Sequence, residues 1–355
     1  MSYLQPGGKF GDFDVIRELG VGGMGAVYLV RDPETGLDYA AKVMLENPLG
    51  ASDFKKRFIR EAEIAMKVEH PALVKVYDVG RDPETGYAYM IMDYVNGGDL
   101  HEAIARRLIE NRGPYSVKES LAVVRPLLGA LSAASAAGVV HRDIKPDNIL
   151  FDGEGHPRLA DLGIAKISDD QTLSRLTMTN MVVGTPAYMA PEQMTDAHAV
   201  DVRADLYALG LVLWEMLAGE CPNAGLSSTE LMARAIKGVR IRDIRELRPK
   251  LPDYMHRFLR RMTDPNPDRR FATPDEALRY LNEWKQQEER KFRLFLIWTL
   301  SLTAVVLAAI LYFGIRWIRS QPVDALPRPA DRQTPDSPPS QDDFDSAFSI
   351  PGSVK

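Results

Sequence analysis

Cysteine is almost missing from this chain. Cys221 is the only one in 355 residues, which excludes an intrachain disulfide. With no second cysteine and no histidine beside it, the thiol suits a structural position better than a nucleophile or a metal ligand. Histidine is scarce too, and five of the six, at 70, 101, 156, 198 and 256, fall at no metal-ligand spacing. Positive charge is not in excess: the formal net charge is −5, which provides none of the basic field that nucleic-acid binding draws on, so DNA and RNA are excluded as partners. The opening MSYLQPGGKF lacks the apolar core of a signal peptide. No cleaved leader is expected, and whatever precedes a membrane segment is expected to stay cytosolic.

The rest of the composition, 45% hydrophobic and 26% charged, is globular and large enough for a two-lobed domain with additional segments. After a short extension at 1–12, residues 13–95 read as short alternating strands with one charged helical stretch around 52–67, a small β-rich lobe. The hexapeptide RDPETG occurs twice in it, at 31–36 and 81–86, each time between strand-like runs where Asp-Pro and a following Gly suit a turn. Residues 96–284 shift to amphipathic helices, such as 117–137 and 204–218, separated by polar loops. The expected class is α+β, a strand-rich lobe followed by a helical one.

Beyond a linker at 285–293, residues 294–315 read LFLIWTLSLTAVVLAAILYFGI, 22 residues without a charge, Asn, Gln, His or Pro. As a helix this run rises roughly 33 Å, the thickness of a bilayer core. Trp298, Tyr312 and Trp317 sit near its ends, and five Lys or Arg precede it within 15 residues against three that follow, a slight bias toward an N-in orientation. Residues 316–355 are rich in Pro, Ser and Asp and are expected to form a disordered tail, with 344–350 as a possible short partner-binding patch.

Three motifs carry chemistry. Gly20, Val21, Gly22, Gly23, Met24 and Gly25 lie between two strand-like runs, so the glycines sit in a hairpin, where backbone can approach phosphate closely. A dinucleotide-binding loop would be followed by a helix, and here a strand follows. On the next strand Tyr39-Ala40-Ala41-Lys42 places an ammonium group beside the loop. The third motif, His141-Arg142-Asp143-Ile144-Lys145-Pro146-Asp147-Asn148, is followed by Asp161-Leu162-Gly163. Phosphoryl transfer requires a carboxylate to accept the proton of the attacking hydroxyl, and oxygen ligands for a divalent cation bridging phosphates. Asp143, Asn148 and Asp161 supply that set.

With these motifs the chain resembles the eukaryotic-like (Hanks-type) protein kinases, over about 13–284, and most of all their bacterial serine/threonine members with a single-pass anchor. The resemblance implies a two-lobed kinase fold that uses ATP with Mg²⁺, or alternatively Mn²⁺. It implies that Gly20, Gly22 and Gly25 cover the phosphates and that Lys42 holds the α- and β-phosphates. Glu61 then pairs with Lys42, with Glu63 as its competitor. Backbone groups of the hinge Met92-Asp93-Tyr94-Val95 read adenine, Asp99 reaches the ribose, and Val27 and Ala40 line the adenine pocket, although periodicity alone makes them ordinary core.

The same resemblance makes Asp143 the catalytic carboxylate, Asn148 and Asp161 the metal ligands, and Lys145 the γ-phosphate contact typical of serine/threonine kinases. Leu162 departs from the usual phenylalanine, a packing change that leaves the metal carboxylate in place. Gly184-Thr185-Pro186-Ala187-Tyr188-Met189-Ala190-Pro191-Glu192 matches the end of an activation segment. Thr177 and Thr179 before it are the implied autophosphorylation sites, with Arg142 as the partner of the phosphate. Glu192 is expected to pair with Arg270, and Asp205 to bond the catalytic-loop backbone.

The expected partners are ATP, protein serine or threonine substrates, the lipid bilayer and a second copy of the chain through the helix. The expected location is the bacterial inner membrane, with the catalytic domain cytoplasmic and the tail outside, in signal transduction. Rival readings are a membrane-anchored pseudokinase scaffold, which would lack at least one of Lys42, Asp143, Asn148 and Asp161, and a small-molecule phosphotransferase of the same fold.

Overall fold

The computed structural model describes residues 4–22, 25–44, 59, 62–83, 85–162, 186–195 and 200–320, with side chains at 285–289 and 291–292 outside the description. Gly23, Met24, Glu61, Thr177, Thr179, Thr185 and the 321–355 tail therefore lie outside the described residues. Two units divide the chain, Met1–Gln287 and Glu288–Lys355.

Alternating apolar residues build the first layer. Strands β1 (Lys9–Phe10), β2 (Phe13–Gly22), β3 (Gly25–Arg31), β4 (Asp38–Met44), β5 (Val76–Arg81) and β6 (Ala88–Asp93) form one antiparallel sheet in the order β1-β2-β3-β4-β6-β5. The period of two sorts β4 cleanly. Ala41 and Val43 join Tyr28, Val30 and Ile91 in a small cluster on one face, whereas Ala40 and Met44 belong to the main core. Lys42 shares the parity of Ala40 and Met44, so its side chain leaves the sheet toward that core side.

The two RDPETG turns are near-copies. Asp32 accepts from the Glu34 amide at 2.8 Å and from the Thr35 hydroxyl at 2.8 Å, and Gly36 has φ 71°. Asp82 accepts from the Thr85 amide at 2.8 Å and the Thr85 hydroxyl at 2.6 Å, and Gly86 also has φ 71°. Each is an Asx turn closed by a left-handed glycine.

The second layer is helical: α1 (Leu100–Ile109), α2 (Val117–Ala136), α3 (Pro191–Thr195), α4 (Val202–Ala218), α5 (Ser228–Ile236), α6 (Asp253–Met262) and α7 (Pro274–Ser320), with a small hairpin of β7 (Ile149–Phe151) and β8 (Pro157–Leu159) after α2. Helix α2 starts at a capping box in which Ser116 and Glu119 satisfy each other's amides. Past the end of α1, Asn111 takes a left-handed φ of 55°. Helix α4 is buried from Ala204 to Leu217 on every side, the pattern of a central core helix. A Cβ on its Gly210 would come within 2.8 Å of Thr263 and 2.9 Å of Met262, so glycine lets α4 and α6 approach.

Short backbone links bring the β7–β8 hairpin to the sheet layer. The Val74 amide donates to Leu159 O at 3.0 Å and the Leu159 amide to Ala72 O at 2.8 Å. Gly97 donates to Phe151 O at 2.7 Å, and a Cβ there would lie 2.3 Å from that same oxygen. The loop from His141 to Asn148, which enters this hairpin, is thereby held where the two layers meet.

Residues of α7 up to Gln287 belong to the first unit and those from Glu288 to the second. In the first, α7 is pinned to α2 and α6: Ser132 donates to Asp275 at 2.7 Å, Arg125 to Asn282 at 2.5 Å, and Trp284 stacks on Tyr254 at 5.7 Å. In the second, Arg293–Ser320 is long and apolar enough to cross a membrane, with a mean hydropathy of 2.5 and none of that window buried.

Candidate active site

The His141–Asn148 loop, the candidate catalytic loop, hangs from a buried carboxylate. Asp205, in the first turn of α4, is 1% exposed, and its two oxygens accept from the His141 and Arg142 amides at 2.7 Å each. Burial pushes this carboxyl up to about 7, against the pull of the two amides and of the Arg142 charge. Arg142 takes a left-handed φ of 62°. His141 is fully buried. Its Nδ1 accepts from the Asp143 amide at 3.3 Å, which assigns the proton to Nε2, 3.0 Å from Ala160 O.

A single turn at Pro146–Asn148 returns the chain so that Asn148 Nδ2 donates to Asp143 O at 2.7 Å and to Asp143 Oδ2 at 3.1 Å. Lys145 Nζ lies 3.9 Å from Asp143 Oδ2. The Ala160 amide donates to Asn148 O at 2.8 Å, and at the next residue Asp161 the backbone turns through φ 57°. Asp161 Oδ1 then meets Lys42 Nζ at 2.6 Å. Residues from β4, the catalytic loop and the β8 exit thus form one cluster, with Leu162 buried at 6% in the core beside it.

Sequence reasoning paired Lys42 with Glu61. Glu61 lies outside the described residues, and the carboxylate on Lys42 is that of Asp161. Glu63 is exposed.

Across the β2–β3 hairpin Gly20 pairs with Val27 and Gly22 with Gly25. A Cβ on Gly25 would lie 2.2 Å from Val43 O, so this glycine is also required for packing on β4, whereas at Gly20 nothing stands within 4 Å. Ala40 and Met92 are buried and Val27 and Val95 half-buried. The Asp93 carboxylate accepts from the Lys75 amide at 3.1 Å and from the Tyr77 hydroxyl at 2.8 Å. Burial and this anion push the Tyr77 phenol up to about 12. Asp99 caps α1, accepting from the Glu102 amide at 2.8 Å.

The side facing Pro186–Thr195 holds residues that motif matching passed over. Gln193 donates to Arg142 O at 3.1 Å while accepting from the Ala190 amide at 3.0 Å, tying α3 to the catalytic loop. Tyr188 donates to Glu215, and Asn223 to Ala187 O at 2.7 Å. Burial raises Glu215, the Tyr188 phenol and the Cys221 thiol beside it, so the thiol is held protonated. An acid in the apolar run of α4 was the available signal for Glu215. Behind them Arg270, with a fully buried side chain, grips Glu192 through two bonds of 2.5 and 2.8 Å and donates to Arg203 O and Asp264 O.

The donor chemistry fits a hard cation shared with phosphate oxygens. Asn148 turns its amide nitrogen to Asp143, which leaves the amide oxygen as its donor to a cation, and Asp161 supplies a carboxylate. Among the described residues no three His, Cys, Asp or Glu side chains gather into a self-sufficient metal site. A cation held by one or two protein oxygens and completed by phosphate is the habit of magnesium.

Residues 13–281 match the family model described as the protein kinase domain. Among curated proteins, the probable serine/threonine-protein kinase pknA2 of Bifidobacterium longum is 40% identical over 60% of this chain and 27% of its own length. The serine/threonine-protein kinase PrkC of Bacillus subtilis is 32% identical over 75% of this chain and 39% of its own. The chain thus spans less than half the length of these relatives. Among solved structures, the kinase domain of Mycobacterium tuberculosis PknI is 31% identical, with a TM-score of 0.62, and matches 79% of this chain and 99% of that domain. A family match over this share of the sequence, on a sheet lobe and a helical lobe that meet at the Asp143–Asn148–Asp161–Lys42 cluster, shows that the chain belongs to the protein kinase family, of the Hanks type found in bacteria.

Proposed function

We propose that this chain is a membrane-anchored protein serine/threonine kinase that transfers the γ-phosphoryl group of ATP to protein hydroxyls. The observation that supports this reading best is the convergence of Asp143, Lys145 and Asn148 with the Lys42–Asp161 pair. Asp143 orients the acceptor hydroxyl and takes its proton as the new oxygen–phosphorus bond forms and the bond to ADP breaks. Lys145, held near Asp143 Oδ2, offsets the negative charge on the transferring group. Lys42 holds the nucleotide phosphates under the Gly20–Gly25 hairpin, the hinge backbone at Asp93 and Val95 reads adenine between Ala40, Val27 and Met92, and Asp99 reaches the ribose beyond its capping bond. Asn148 and Asp161 would hold Mg²⁺, which supplies charge neutralisation between the phosphates; Mn²⁺ satisfies the same oxygen donors.

Full activity is proposed to follow autophosphorylation at Thr177 or Thr179, with Glu61 replacing Asp161 on Lys42 in the competent state. Arg142 is the partner for the phosphate, its Nε being buried without a bond among the described residues. The Arg293–Ser320 helix is proposed to anchor the chain in the inner membrane with the catalytic domain in the cytoplasm, where ATP is available.

Purified full chain incubated with labelled ATP and magnesium is expected to label itself and a basic protein substrate. Asp143→Asn should lower the rate by roughly 10²- to 10⁴-fold. Equal labelling by wild type and variant would overturn the assignment of Asp143.

A further inference from the structure

The chain as a whole is acidic, yet residues 234–264 hold ten Lys or Arg against four Asp or Glu. At the exit of α5 the sequence Ile236-Lys237-Gly238-Val239-Arg240-Ile241-Arg242 alternates aliphatic and basic residues. Ile236 is 70% and Val239 43% exposed, and Lys237, Arg240 and Arg242 are exposed with them. This loop borders a cavity of about 150 Å³ that has Trp214, Ile244 and Leu259 in its lining and Arg240, Arg242 and Arg260 around it.

Arg240 donates to Arg260 O at 3.4 Å and to Asp264, and Arg242 bonds Glu246 and Glu220 at 2.9 and 3.1 Å. Those three acids hold and neutralise the two guanidinium groups, and among the described residues Lys237, Arg257 and Arg260 form no ion pair, so these three carry the positive charge of the surface. Exposed aliphatic side chains interleaved with cations suit a boundary where charged headgroups give way to acyl chains.

The point where the chain leaves the first unit identifies the occupant. Trp284, near the end of that unit, stacks on Tyr254 of α6, and the Arg257 guanidinium lies 4.8 Å from its ring centroid. Arg260 follows Arg257 by three residues, hence about 5–6 Å away along one helix surface. Only residues 285–293 separate Trp284 from the apolar run that starts at Leu294. That linker reaches about 14 Å as a helix and at most about 31 Å fully extended. Covalent reach alone therefore keeps the start of the apolar run within about 31 Å of Trp284.

We propose that the surface formed by the 236–242 loop with Arg257 and Arg260 lies on anionic lipid headgroups, so that the catalytic domain is docked on the bilayer as well as tethered to it. This rests on the membrane-anchor reading above. Each basic side chain near an anionic surface favours the docked state by roughly fivefold at physiological ionic strength, and the effect fades as salt shortens the screening length.

The full chain is reconstituted into lipid nanodiscs of phosphatidylcholine alone or mixed with phosphatidylglycerol, and amide hydrogen exchange is followed across 236–242 and 253–262. Exchange in both segments is expected to slow about five- to tenfold in the anionic discs. High salt should reverse the slowing, and the double variant Ile236→Ser, Lys237→Glu, which touches neither the catalytic cluster nor a buried position, should weaken it. Self-labelling by that variant reports that it is folded. Equal exchange in the two disc types, or a variant that is protected as wild type is, overturns docking and leaves the anchor standing. Protection by an added acidic peptide without protection by anionic lipid overturns it in favour of a protein partner. Failure of the chain to enter discs of either kind overturns the anchor and docking together.

Discussion

In an Asp205→Asn variant one of the two amides of His141 and Arg142 faces an amide nitrogen where it had an oxygen, in a site 1% exposed. A buried donor left without an acceptor costs about 1–3 kcal/mol, and this one belongs to the loop that carries Asp143. The variant is expected to unfold at lower denaturant and to turn over more slowly, measured by urea titration and by labelled-ATP assay. The pH dependence should change as well. Because burial raises the Asp205 carboxyl to about 7, the folded state retains its proton where the unfolded state has lost it. The stability from this group is full below pH 4 and is lost as pH rises through 7. Asparagine removes that slope, which melting curves between pH 4 and 8 would show. Motif spacing was enough to point to Asp143, Lys145 and Asn148, because they lie within six residues and one turn folds them together. It could not reveal the proton placement on His141, which Ala160 sets from nineteen residues away, nor the acid that meets Lys42.

At the scale of elements, the start of α2 depends on a reciprocal cap. Ser116 and the neighbouring Arg107 hold the Glu119 carboxyl down at about 2. A depressed acid stabilises the fold above its unfolded value near 4.5 and loses that contribution as pH falls toward 2. Glu119→Gln is therefore expected to be less stable than wild type at pH 7 by at most about 1 kcal/mol, and the difference should shrink below pH 4.5 and vanish only below about pH 2, as read by thermal melting across that range. Elements written in local sequence were legible: the two RDPETG turns, α2 and the apolar run in α7 stand where their residues put them. Contacts between distant elements were less so. Tyr188 with Glu215 and Gln193 with the Arg142 carbonyl join α3 and its approach to α4 and the catalytic loop, and no spacing rule encodes such meetings.

For the whole molecule, the family match at 13–281 covers the catalytic unit and ends before the candidate span at Arg293–Ser320. If the span serves to tether and concentrate the kinase, truncation after Ser320 should leave Thr177 and Thr179 phosphorylation in cells unchanged, by quantitative mass spectrometry. A loss of both phosphates would make the tail an obligatory sensor. Removing the chain from Glu288 onward is a different experiment, because the α7 segment before it is bonded into the catalytic unit through Asp275, Asn282 and Trp284.

Among the described residues, three other than glycine hold left-handed backbone, Asn111, Arg142 and Asp161. Asparagine and aspartate tolerate that geometry, but for arginine it costs roughly 1–2 kcal/mol. An engineer seeking a hardier variant would mark 142 for glycine to relieve that strain. The same change would delete the guanidinium proposed to meet phosphate, so on that reading robustness and turnover cannot be improved together at this position.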